Sequence, residues 1–199
     1  MRLTFSALAP VLAALSLAAC GSDTETSQET ETTEPTMDAG DPAAGAQSPD
    51  AASADTPTEG ARYVEVAGAS DLYEIQSSEL ALEKAQSEEV RMFAQHMIED
   101  HQMTTEQVTT AAEAAGIMPA PPQLTPMQQQ MITELEGATG EAFDRTYLQQ
   151  QRQAHQMALA LHRNFAEQGD TEQLQQVASG AVPVVERHIS ELDGMNAGG

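Results

Sequence analysis

The chain has no tryptophan, a single cysteine in 199 residues, and only eight lysines and arginines against 31 aspartates and glutamates. One cysteine excludes a disulfide within the molecule. A formal charge of −23 opposes binding to nucleic acid or to anionic headgroups, since both are held mainly by basic side chains. Aromatic residues make up 4% of the chain, β-branched residues are sparse in the segments with periodic hydrophobicity, and no alternating run is long enough to predict a strand. No serine stands in a nucleophile-elbow context, so nothing resembles a nucleophilic triad.

What is present begins with a leader. Met1-Arg2 gives a positive start, and Leu3 to Ala19 is almost wholly apolar, with small residues toward its end. This pattern predicts a secretory signal peptide over residues 1–19, too short and wrongly flanked for a membrane-spanning helix. Leu17-Ala18-Ala19-Cys20-Gly21 resembles the bacterial lipobox, which implies cleavage before Cys20 and lipidation of its thiol. Several acyl chains would hold the protein at a membrane far better than one, and Gly21 in place of an aspartate points to the outer membrane. Residues 20–60 hold ten acids, no base and no aromatic residue. Such a segment cannot bury enough apolar surface to offset its ordering entropy, so it reads as a disordered acidic tether with a reach of about 35 Å. The folded domain is expected over residues 61–199, in the periplasm.

That domain is predicted to be all-α. Alanine, glutamine, glutamate, leucine and methionine dominate it, and all of them favour helix. A first helix is expected from Arg62 to Ala85. A second starts at Ser87-Glu88-Glu89 and stops before Gly116. After the connection Met118–Pro126, Thr125-Pro126 opens a third segment that Gly137 and Gly140 break or bend before its main part, Glu141 to Gln168. Thr171 is expected to cap the last helix, which reaches about Asp193. Short connections in each half force antiparallel hairpins, and two hairpins predict an up-down-up-down four-helix bundle of the ferritin-like kind.

Each of the four long helices carries one potential metal ligand within its apolar stripe: Glu74, His101, His155 and His188. Ionisable groups on core faces call for a partner, so the array is either a metal site or a buried hydrogen-bond network satisfied by Glu74, Asp100 or the Tyr147 hydroxyl. Imidazole and carboxylate ligands suit Fe, Zn, Mn or Cu, with Asp100 and Tyr147 supporting the ligands from behind. Counting residues from the turns places Glu74 and His101 within roughly 4–5 Å of a common depth, but leaves His155 and His188 about 7–8 Å apart. His162 lies about 10 Å along the helix from His155 and is expected at the boundary of the core. Ile98 and Val185 occupy the positions where a di-iron Glu-x-x-His pattern would need glutamate.

Tyr73-Glu74-Ile75 with Leu80-Ala81, Val90-Arg91-Met92-Phe93-Ala94, and Met97-Ile98-Glu99-Asp100-His101 make up a first hairpin. Phe143-Asp144-Arg145-x-Tyr147-Leu148 with His155, and Val182-Pro183 with His188, make up a second. These motifs resemble the domain of unknown function 4142 family, exported bacterial proteins with a ferritin-like helical bundle. The resemblance covers about residues 62–193 and implies that Glu74, Asp100, His101, Asp144, Tyr147, His155 and His188 occupy family motif positions. It implies no established activity. Asp144 reads equally well as a helix brace.

Met92, His96 and Met103, with Glu99, fall on the face of the second helix opposite His101 and form a candidate copper patch, although about 16 Å of helix separates its ends. The sequence therefore supports a lipid-tethered periplasmic helical protein that binds a transition metal or an envelope protein partner. A metal-dependent redox or oxygen-detoxifying enzyme is the second reading, and a purely structural or envelope-stress module the third.

Overall fold

The computed structural model describes residues 56–197, all within one compact unit, Ala46–Gly199. The expected signal peptide, Cys20 and most of the tether lie outside the described residues. Five helices and no strand are present among those described: α1 (Gly60–Lys84), α2 (Glu88–Ala114), α3 (Pro126–Gly137), α4 (Gly140–Gln168) and α5 (Glu172–Ala197). None is long and apolar enough to cross a membrane.

Local chemistry sets the boundaries. The Ser87 hydroxyl accepts the Val90 N–H at the start of α2, with Glu88 and Glu89 in the first turn, where carboxylates suit the helix dipole. At its end, Gly116 takes φ +76°, and the N–H groups of Gly116 and Ile117 return to the carbonyls of Glu113 and Ala112, satisfying groups that would otherwise be orphaned. Thr125 and Gln128 form a reciprocal capping box on α3, with Pro126 in its first turn. Gly140, at φ +63°, separates α3 from α4 as expected of the two glycines. α5 runs through Pro183 without ending.

The four long helices form a ring in which α1 packs on α2 and α4, and α5 on α4 and α2. Two apolar clusters fix their directions. At one end, Ala81 of α1 and Ala85, which caps it, meet Val90, Phe93 and Met97 of α2, Phe143 and Tyr147 of α4, and Leu192 of α5. At the other, Tyr63, Val64 and Ala67 meet Val108, Ala112, Leu161, Phe165, Leu174 and Ala178. Both hairpins are antiparallel, but α2 and α4 run the same way. The order is therefore up, down, down, up, which corrects the expected up-down-up-down arrangement. The cause is the connection of residues 115–139. After the turn at residues 115–116, the nine residues 117–125 at up to about 3.3 Å each, with α3 at about 1.5 Å per residue, are long enough to carry the chain back along the height of the ring. α3 lies against α1 and α4, and Lys84 Nζ donates to the Leu135 and Glu136 carbonyls at its C-terminal end.

Asp144 is a brace. Its carboxylate accepts the backbone N–H groups of Gln86 and Ser87 in the α1–α2 turn, at 3.1 and 2.9 Å. At the opposite end Asp170 accepts from the Gly60 N–H and its own N–H donates to the Thr58 carbonyl, tying the start of the domain to the α4–α5 turn.

Leu135 is fully buried among Phe143, Tyr147 and Phe93 and fastens α3 to the ring. Leu135→Ala should lower stability by about 2–5 kcal/mol in urea unfolding, the usual cost of a core truncation; an unchanged midpoint would show that α3 is not part of the cooperative core.

Candidate metal centre

Midway between the apolar clusters the interior turns polar. Asp71, Glu74, Ser77 and Ser78 of α1, His101 of α2, Gln150, Gln151, His155 and His162 of α4, and His188 of α5 are all buried. His101, His155 and His188 form a near-equilateral set with ring centroids 5.8, 5.9 and 5.2 Å apart, and one nitrogen from each lies within 4.8 Å of the others. Phe93 walls the group on one side, 6.4 Å from the rings of His155 and His188.

The expected depth mismatch between His155 and His188 is closed: His155 Nε2 stands 3.2 Å from His188 Nδ1. Side chains on a helix lean toward its N-terminus. On an antiparallel pair, His155 therefore leans away from the α4–α5 turn and His188 leans back toward it, so the deeper residue rises and the shallower one sinks. Counting Cα positions alone omits that lean.

Hydrogen bonds on the outer edge of each ring decide where the lone pairs go. His101 Nδ1 lies 2.8 Å from the Asp71 carboxylate, which also accepts from Thr105 Oγ1 at 3.0 Å. His155 Nδ1 lies 2.8 Å from the Gln151 main-chain carbonyl. His188 Nε2 lies 2.8 Å from Asp100 Oδ2, which Arg187 also contacts at 2.8 Å. All three partners can only accept, so each of those nitrogens carries the proton and donates it. The nitrogens left over are His101 Nε2, His155 Nε2 and His188 Nδ1, and in neutral rings all three bear lone pairs. Two of them face each other at 3.2 Å without a donor between them, and His101 Nε2 has no partner at all.

A proton shared between His155 and His188 could fill the gap between them, but burial works against it. Desolvation first, then the positive charge of its neighbours His101 and His188, pulls His155 down to about 3. Burial likewise lowers His188 to about 4, despite the opposing Asp100 contact. His101 moves the other way: burial disfavours its charge, but the hydrogen bond and charge of Asp71, with Glu74 and Asp100 adding, hold it above the ordinary value.

Glu74 is not in the converging set. Its Oε1 lies 3.4 Å from His155 Nδ1, on the ring edge away from His188, and its Oε2 has no partner. Burial, only partly offset by His101 and Gln151, pushes this carboxyl up to about 7. Asp100 lies behind His188. Tyr147 bonds Ser78 Oγ at 2.8 Å and lies edge-on to Phe93, which in turn faces His155 and His188. His162, expected at the boundary, is buried instead and meets the Tyr63 hydroxyl at 3.0 Å, because α4 turns that face toward the cluster of Tyr63 and Phe165. Asp71 was missed by the sequence reading, although it stands one helical turn before Glu74 on the same stripe. The Gln151 carbonyl leaves no side-chain signal to read. Met92, His96 and Met103 are exposed on the outer face of α2.

Three depressed histidines govern the acid limb of stability. His155, His188 and His162, the last lowered by burial to about 4, stay neutral in the fold, whereas in the unfolded chain each takes a proton near 6.5. Their contribution is complete above 6.5 and is lost as pH falls through about 4 for His188 and His162 and about 3 for His155. Glu74 opposes them, since its raised value stabilises the fold below about 4.5 and that gain fades as pH rises through about 7. His101 opposes them too, but its raised value contributes fully below about 6.5 and is lost only as pH rises beyond that. Between about pH 4.5 and 6.5 the three depressed rings outweigh Glu74, so metal-free protein should gain stability across that window in urea titrations, and His162→Gln should flatten the rise. A flat profile in the parent protein would contradict the burial of these rings as neutral bases.

The chain is similar in fold to CopM: the Cu(I)-bound form gives a TM-score of 0.60 at 19% identity, and the Ag-bound form 0.59 at 18%, each covering 70% of this chain and 96% of CopM. A DUF305 fragment from Deinococcus radiodurans gives 0.60 at 17% identity, covering 68% of this chain and 93% of its own. Such identities establish likeness of fold alone. No curated protein sequence matches the chain. The sequence profile described as Domain of unknown function (DUF4142) matches residues 44–195, and the chain belongs to that family.

Proposed function

We propose that the protein is a lipid-anchored periplasmic metal-binding module, a ferritin-like four-helix bundle with one long crossover, whose interior holds a single transition-metal ion on His101, His155 and His188. The observation that carries this reading is the convergence of three ring nitrogens within 4.8 Å, two of them bearing lone pairs 3.2 Å apart with no donor between, and the third, His101 Nε2, available once the proton that Asp71 favours on that ring is displaced. A hydrogen-bond network would orient at least one N–H into that gap. Here every proton of the neutral rings is drawn outward by Asp71, Gln151 or Asp100, the way hydrogen bonds to a ligand's far nitrogen hold metal-binding histidines in register.

Copper is the ion we favour. Imidazole suits Zn, Cu, Fe and Ni, and among divalent ions at such a site Cu(II) binds most tightly. The fold likeness to CopM, known in Cu(I)-, Cu(II)- and Ag-bound forms, supports testing copper first. The Cys20 lipobox and acidic tether support placing the module at the outer membrane. Metal-dependent redox chemistry on oxygen species is a second reading, favoured by the small ligand set, since three protein ligands leave a coordination position open.

The purified domain should take up one Cu(II), with electron paramagnetic resonance showing coupling to three nitrogens. His101→Ala, His155→Ala and His188→Ala should each abolish that signal. Asp71→Asn and Asp100→Asn should weaken binding about 10–100-fold by releasing the rings they hold. Met92→Leu with Met103→Leu should leave it unchanged. Folded protein that holds copper only on carboxylate oxygens, with no nitrogen coupling, would remove this function.

A further inference from the structure

A cavity of about 260 Å³ opens between α2 and α5, with His96, Glu99, Asp100, Arg187, His188 and Glu191 on its walls. His188 is 1% exposed, yet it forms part of this wall, and its ring separates the cavity from the lone-pair nitrogens within. The larger cavity described, against α1, α3 and α4, has none of the three histidines on its lining. Asp100 Oδ2 holds His188 Nε2 and Arg187 Nη2 together, and Arg187 Nε lies 3.9 Å from Glu191. The partition ring is therefore kept in place by a carboxylate that a surface guanidinium also holds.

We infer that this cavity is the door through which a divalent transition-metal ion reaches and leaves the three-histidine centre, with His96, Glu99 and Glu191 as outer docking groups and the Arg187–Asp100 ion pair as its latch. The inference rests on the metal-binding reading above. Three carboxylates against one guanidinium give the mouth a net negative charge that concentrates cations. At about 30 Å³ per water the space admits an ion with much of its hydration shell. His96 supplies the imidazole that prefers a transition ion over calcium or magnesium. A cation there competes with Arg187 for Asp100. Once Asp100 lets go of the His188 N–H, the ring can swing and present its lone pair to the ion. Behind it waits His101 Nε2, buried and without a protein partner.

Stopped-flow mixing of the domain with Cu(II) tests this, followed by the quenching of tyrosine emission in a chain without tryptophan, with release measured by adding a chelator. Glu99→Gln with Glu191→Gln should slow uptake and release about tenfold at low salt, and the difference should shrink as salt screens the mouth. Arg187→Gln should speed both by a similar factor. Glu113→Gln, an exposed acid at the C-terminal end of α2 beside the opposite apolar cluster, should change neither. A parent protein that binds one ion on three nitrogens, while all variants load and release at its rates, overturns the door and leaves the site intact. A parent protein with no nitrogen-bound ion overturns the site and the door together.

Discussion

The centre depends on hydrogen bonds made by the outward edges of three imidazoles. A neutral histidine has one N–H and one lone pair, and fixing the first fixes the second. Asp71, the Gln151 carbonyl and Asp100 each take the N–H of one ring, so the lone pairs have only the shared interior left to face. The carboxylates come from α1 and α2, the carbonyl from α4, and the rings from α2, α4 and α5. Every long helix of the ring is thereby tied into the arrangement.

The surroundings have a corresponding cost and logic. Ten buried polar or charged residues occupy the middle of a domain whose two ends are apolar. Polar groups left without partners in such a place cost free energy, and three of the four buried side-chain atoms without a partner among the described residues lie here: Glu74 Oε2, His101 Nε2 and Gln151 Oε1, the fourth being Arg152 Nε. Well-packed ends supply the stability that lets the middle keep them, a trade common at functional sites.

Much of the fold was legible because its signals are local. Ser87, Thr125-Pro126 and the glycine pair at 137 and 140 mark element boundaries by their own backbone chemistry, and the helix ends came within a few residues. Chain direction was not legible in the same way. Whether residues 115–139 turn sharply or travel the height of the domain depends on what α3 packs against, which is a tertiary matter. The three histidines were readable from their place in the apolar stripes. Their convergence was not, since it depends on the lean of side chains from antiparallel helices. Asp71 shares Glu74's stripe and could have been found, whereas a main-chain carbonyl such as that of Gln151 has no residue identity to announce it.

The long crossover also shapes the electric environment of the centre. Because α2 and α4 run opposite to α1 and α5, each end of the ring holds two helix N-termini and two C-termini, and every helix is flanked by neighbours of reversed polarity. The peptide dipoles, each helix equivalent to about half a charge at either end, oppose one another around the ring. At mid-height their axial fields cancel. The potential that a bound cation would feel is thus left to nearby carboxylates, so its affinity and redox poise can be tuned one side chain at a time without disturbing the scaffold.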